Sequence, residues 1–165
     1  MNDLEARFWA KVQKAEDCWN WTASKNSVGY GLIGEGAPSR AVLLAHRVSY
    51  TLAKGPIADG LVIDHRCHNR ACVNPSHLRA VTQKQNGENR GSWTARTGSR
   101  GVYPVTNSHK FQVRVRHNGK LHYAGLYDSI EEAEAAAIAK RNELFTCNDM
   151  DRETNHHNAA RRLAV

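Results

Sequence analysis

Cys67, Cys72 and His77 stand in the spacing C-x4-C-x4-H inside a polar, Arg/Asn-rich stretch. Two thiolates and a neutral imidazole make a soft donor set that suits tetrahedral Zn(II), and three ligands require a fourth. Cys18, in an aromatic run far upstream, takes that place by elimination, with His68 and His46 as the alternatives; Cys147 reads as a buried apolar thiol. Four protein ligands would close the site and make the zinc structural. A polar module of about ninety residues has little core, so a metal staple offsets a real deficit. Asp64, His65 and Asn86 suit a different chemistry. A carboxylate and a carboxamide offer hard oxygens to Mg(II), with Mn(II) able to substitute, while an adjacent imidazole can take a proton from an attacking water.

These residues need elements to hold them. Leu61–His65 reads as a strand ending in the Asp-His pair, His77–Val81 alternates as a second strand, and Thr82-Gln83-Lys84-Gln85 has the capping-box form that starts a helix with Asn86 in its first turn. Upstream, Leu4, Phe8 and Val12 are spaced for an amphipathic helix over 3–14, and residues 18–22, 29–33 and 40–44 read as strands of a small meander. Ala45–Lys54 has helical spacing and is stopped by Gly55-Pro56. Downstream of a polar, glycine-bearing stretch, 100–105, 110–117 and 120–127 read as three strands. His117-Asn118-Gly119 forms a hairpin signal between the last two, and Ser129 caps a helix reaching about Phe145. Period-two alternation puts Gln112, Arg114 and Arg116 on one face of the middle strand and Phe111, Val113 and Val115 on the other. The domain plan is therefore 1–90, a linker 91–98, a second module 99–146, and a polar tail 147–165 that either forms a short helix or has no structure.

Charge narrows the partners. The chain of 165 residues carries a net +7, yet His65–Tyr127 alone holds eleven Lys/Arg against one acid, Glu88. A basic belt between flanks that together sum to −3 points to phosphates, because neutralising each phosphate of a nucleic acid releases counterions. No apolar run is long enough for a membrane span and Met1–Ala10 is too charged for a secretory signal, so the expectation is a soluble, unsecreted, cytoplasmic protein in which the cysteines are free to bind metal.

The stretch DHRCHNRACVNPSHLRAVTQKQN resembles the ββα-metal nucleases, in both the HNH branch of phage and intron-encoded homing endonucleases and the His-Cys box branch, with the likeness extending upstream through CWNW, GYG and AHR to cover about residues 17–90. The resemblance implies that His65 is the general base and that Cys67, Cys72 and His77 are zinc ligands. It further implies that Asn86 and Asp64 hold the catalytic metal. The central HNH asparagine would be Asn74 or Asn69, and the phosphate-clamping arginine Arg47 or Arg40.

The second module resembles an AP2-type DNA-binding domain through Arg100-Gly101-Val102, Phe111-x-Val113-x-Val115, Tyr123-Ala124-Gly125 ahead of Tyr127-Asp128, and Glu131-Glu132-Ala133. That likeness implies a three-stranded sheet in the major groove of double-stranded DNA, with Arg100, Tyr103, Lys110, Gln112, Arg114, Arg116 and Tyr123 as contacts. The expected fold is α+β: a zinc-stapled ββα-metal nuclease followed by a three-stranded antiparallel sheet plus helix. The expected function is a homing-type DNA endonuclease acting in the host cell of a phage or mobile element, in which a homodimer would serve double-strand cleavage. A non-catalytic zinc-stapled DNA-binding regulator and a sequence-indifferent DNase are the alternatives.

Overall fold

A computed structural model describes residues 3–90 and 96–152; the first five residues of the expected linker, 91–95, and the end of the tail, 153–165, lie outside the described residues. The architecture is α+β, with small antiparallel sheets and short helices. The chain divides into two compact units, Met1–Asn86 and Gly87–Val165. Among the described residues no helix is long and apolar enough to cross a membrane.

In the first unit, α1 (Asp3–Trp9) is shorter than the helix expected over 3–14. The chain turns where the Lys11 amide bonds the Phe8 carbonyl, and β1 (Val12–Gln13) then pairs antiparallel with β2 (Asn20–Trp21). An isolated helix of this length is marginal, so a strand partner that also lets Val12 reach the core outweighs the helical spacing. The expected meander is also revised. β3 (Leu32–Gly34) pairs with β4 (Val42–Leu44) in a separate two-stranded sheet, and each pair stands apart from the other.

Helix α2 (Ala45–Lys54) follows β4 directly and buries Ala45, His46, Val48 and Ser49. Phe8, Trp21, Ile33, Ala45, Val48 and Val73 form the core, with Trp9, Val12 and Trp19 packed around it. Gly31 is demanded by this packing, because a Cβ there would lie 2.5 Å from Cδ1 of Trp21. The remaining elements form a strand–loop–strand–helix run. β5 (Leu61–His65) pairs antiparallel with β6 (Leu78–Thr82), so that Asp64 lies opposite Arg79 and His65 opposite Leu78. Helix α3 (Gln83–Glu88) leaves β6 through a formed capping box, in which the Gln85 amide donates to Thr82 Oγ1 at 3.2 Å and the Thr82 amide to Gln85 Oε1 at 2.9 Å.

In the second unit, β7 (Val102–Pro104), β8 (Phe111–His117) and β9 (Lys120–Tyr127) form one antiparallel sheet in the order β7-β8-β9. The β8–β9 turn places Asn118 and Gly119 at φ 50° and 77°, the left-handed pair that a tight hairpin requires. Helix α4 (Ile130–Leu144) is capped by Ser129 Oγ, which accepts from the Glu132 amide at 3.2 Å. Its small buried residues Ala133 and Ala137 let it lie close against Val102 and Val113. A last helical turn, α5 (Asp149–Arg152), is held by the Arg141–Asp151 ion pair at 2.6 Å.

Candidate functional site

A loop closes at the foot of the β5–β6 ladder, where the Arg66 amide bonds the His77 carbonyl at 2.9 Å and Pro75–His77 forms a 3-10 turn. Asn74 organises this loop. Its Oδ1 accepts from the Ser76 amide at 3.1 Å and from Ser76 Oγ at 2.8 Å, and its Nδ2 donates to the Asp17 carbonyl at 2.7 Å. The segment around β2 lies against the same loop: the Trp21 amide bonds the Ala71 carbonyl at 2.9 Å, the Val73 amide bonds the Trp19 carbonyl at 2.7 Å, and Asn69 Nδ2 donates to Asn20 Oδ1 at 2.8 Å. These backbone pairings, which bring Asn20 opposite Cys72, deliver Cys18 to a loop some fifty residues further along the chain.

Cys18, Cys67, Cys72 and His77 accordingly converge, their ligand atoms all lying within 4.8 Å of one another. His77 presents Nδ1 to the sulfurs, 3.6 Å from Cys72 Sγ and 3.7 Å from Cys18 Sγ. A tetrahedral zinc with ordinary Zn–S and Zn–N bond lengths separates a sulfur from a nitrogen by about 3.6 Å, so His77 Nδ1 already stands at zinc-binding spacing from the Cys18 and Cys72 sulfurs. The Cys67 thiol, hydrogen-bonded to Cys72, holds Cys72 down to about 5, while Cys67 is itself pushed up. Burial raises Cys18. Such a donor set fits a soft, borderline dication. Asp17, which the sequence reading did not single out, lies 3.2 Å from His77 Nε2 and leaves Nδ1 to face the sulfurs. Carboxylate partners of this kind orient and tune metal-bound imidazoles. Its only sequence signal is a carboxylate immediately before a ligand cysteine. His46 and His68, the alternatives for the fourth position, are outside the cluster.

His65, buried at the end of β5, has Nε2 3.1 Å from the Cys72 carbonyl. A carbonyl only accepts, so Nε2 carries the proton and Nδ1 keeps the lone pair. Burial lowers the His65 pKa, so the ring is neutral near pH 7 and Nδ1 is competent to take a proton. The loop that aligns the cluster therefore also sets the tautomer of His65. Asp64 is buried beside it, with both Arg79 contacts, 2.9 and 2.8 Å, falling on the single oxygen Oδ2. Asn86 lies half-buried in α3. Arg47 and Arg40, the two candidate phosphate clamps, are both exposed, and Asn69 bonds Asn20 rather than organising the turn at His77. A further group is His46, whose ring centroid lies 4.8 Å from that of His65 and 5.1 Å from that of Tyr30.

In the second unit the strand register places Tyr103 opposite Gln112, Tyr123 opposite Arg114 and Leu121 opposite Arg116, so these side chains share one face of the sheet. On that face Tyr103, Leu121, Tyr123 and Leu126 are exposed, and Arg114 lies over the Tyr103 ring at 4.4 Å. Val113 and Val115 are buried on the opposite face, as the alternation requires. Lys110 pairs with Asp128 at 2.8 Å. Arg100 departs from expectation. Its guanidinium bonds the carbonyls of Gly87, Glu88 and Arg90 at 3.2, 2.8 and 2.8 Å and lies over the Phe145 ring, so it serves the carbonyls at and beyond the end of α3 rather than the sheet face.

Comparison with known proteins agrees with this geometry. Residues 43–88 match the family model described as HNH endonuclease. The chain is 38% identical over 73 residues to "Protein 7.7" of Escherichia phage T7, covering 44% of this chain and 54% of that protein. It is 35% identical over 69 residues to "Protein 2.8" of the same phage, covering 42% and 45%. The "Uncharacterized gene 5.3 protein" of Enterobacteria phage T3 is 46% identical over 39 residues, 24% of this chain and 39% of that one. The chain thus spans about half or less of the length of these curated relatives. No solved structure matches. The HNH match and the Cys3His cluster together support an HNH nuclease domain, with zinc as the candidate metal of the cluster.

Proposed function

We propose that the chain is a metal-dependent DNA endonuclease of the homing type, working in the host cell of a phage or mobile element. The observation that carries this reading is the tautomer of His65. A neutral imidazole, with Nε2–H on the Cys72 carbonyl and the Nδ1 lone pair presented as a base, sits within the segment that matches the HNH model. His65 Nδ1 would remove a proton from the water that attacks phosphorus, and the P–O3′ bond would break to leave a 5′-phosphate and a 3′-hydroxyl. Asp64 and Asn86 offer hard oxygens of the type that Mg(II) or Mn(II) takes; such an ion, when bound, stabilises charge developing on the phosphate and the leaving oxygen. Arg47 is exposed and free to reach a phosphate. The Cys3His cluster would hold the loop whose Cys72 carbonyl orients His65, and would take no part in the chemistry.

Target preference in this reading comes from the second unit. Its exposed sheet face interleaves Arg114 and Arg116 with Tyr103 and Tyr123, the combination of cation and flat ring that contacts phosphates and base edges of duplex DNA. Likeness to an AP2-type reader is the further support. Gln112 lies on the same strand and Lys110 immediately precedes it, and two copies would be needed for a concerted double-strand break.

Digestion of a supercoiled plasmid with and without Mg(II) tests the proposal. Discrete metal-dependent products, lost in His65→Ala by roughly 10²–10⁴ in rate, are expected. A smear with no discrete bands would favour a sequence-indifferent DNase. Tight DNA binding with no cleavage under any divalent cation would identify a non-catalytic regulator instead.

A further inference from the structure

His46 is the second residue of α2 and only 4% exposed. Its ring stands edge-on to His65, at 61° between planes, and is tilted against Tyr30. Nδ1 of His46 is buried and has no hydrogen-bond partner. A buried polar nitrogen left unpaired is costly, and a phenylalanine would fill the same space beside Tyr30 and His65 without that cost. The zinc cluster does not use the ring either, since its four positions are filled by Cys18, Cys67, Cys72 and His77. Burial holds the His46 pKa down to about 3, so a fixed positive charge for a phosphate is not what the residue supplies at neutral pH. What remains is a neutral nitrogen beside the candidate base, with a lone pair that no group among the described residues takes up.

We propose that His46 is a second imidazole of the active site, its Nδ1 accepting a hydrogen bond from the water that His65 deprotonates. The role rests on the endonuclease reading above. One O–H of the water is given to His65 Nδ1 and the other is held by His46 Nδ1. The water oxygen forms the new bond to phosphorus, the P–O3′ bond breaks, and the leaving oxygen takes a proton from solvent. His46 stays neutral throughout and contributes orientation, which fixes the nucleophile's lone pair toward phosphorus.

Two substitutions separate this role from packing. In His46→Asn the carboxamide can occupy the place of Nδ1, whereas His46→Phe keeps the ring shape and loses the nitrogen. If the residue only fills space, Phe is the better replacement in both stability and turnover. If it holds the water, Phe loses about 10²-fold in kcat with little change in KM, and Asn recovers part of that loss even though it packs less well. Zinc content and the thermal midpoint of each purified full-length variant report folding independently of activity. A Phe variant with kcat equal to or above that of Asn overturns the assignment. The wild-type arm distinguishes the two ideas: if the wild-type chain itself cuts no DNA with Mg(II), the endonuclease reading falls and this role falls with it. If it cuts, the Asn/Phe order alone decides.

Discussion

Acid should destabilise the first unit through His46, by an amount that can be worked out. The groups facing its ring are His65 from β5 and Tyr30 from the loop before β3, with Arg47 adjacent on its own helix and Arg70 lying over Tyr30. Burial comes first among the causes that take the pKa from 6.5 to about 3, followed by the neighbouring His65 and Arg47. Between those values the unfolded chain binds a proton that the native ring refuses. Stability is therefore complete above about pH 6.5 and is lost as the pH falls toward 3. Linkage puts the loss from His46 alone at roughly 2 kcal/mol between about pH 7.5 and pH 5. Urea unfolding followed by far-ultraviolet circular dichroism at the two pH values measures it. The quantity to read is the difference between wild type and His46→Phe, in which contributions from other groups cancel. The variant should lose roughly 2 kcal/mol less than the wild type over the same interval. Parallel losses in the two proteins would refute the argument, because they would mean that the native ring takes up its proton as readily as the unfolded one.

Other perturbations test the framework around the site. Asp17→Ala should weaken zinc binding about 10–100-fold in competition with a chromogenic chelator, since His77 would lose the carboxylate on its Nε2. Stripping zinc with a strong chelator should unfold much of the first unit while the α4-packed sheet of the second unit persists, which proteolysis with mass spectrometry would resolve. Gly31→Ala drives a Cβ to 2.5 Å from Trp21 and should cost about 1–3 kcal/mol in denaturant unfolding, with the Trp21 fluorescence environment altered. Val113→Ala, at a fully buried position against α4, should destabilise the second unit by about 1.5–3 kcal/mol and leave zinc content unchanged.

Much of the second unit was legible along the chain because its signals are local. The His117-Asn118-Gly119 turn, the alternation that sorts Arg114 and Arg116 from Val113 and Val115, and the Ser129 cap each involve residues within a few positions of one another. The same holds for α2, the β5 strand ending in Asp64-His65 and the Thr82–Gln85 capping box, and for the C-x4-C-x4-H spacing, whose members share one loop. Tertiary structure alone decided the rest. Val12 left its helical spacing because a strand partner at Trp21 was in reach, and Arg100 left the sheet face because the carbonyls of Gly87, Glu88 and Arg90 needed a donor. Cys18 joined the cluster through backbone bonds between residues 19–21 and 71–73, and His46 came beside His65 only when α2 packed into the core. Turns and caps are settled by the torsions and hydrogen bonds of neighbouring residues. Meetings between residues some ten to fifty positions apart depend on which backbone edges and apolar faces find each other, and those pairings are decided by the packing of the whole unit.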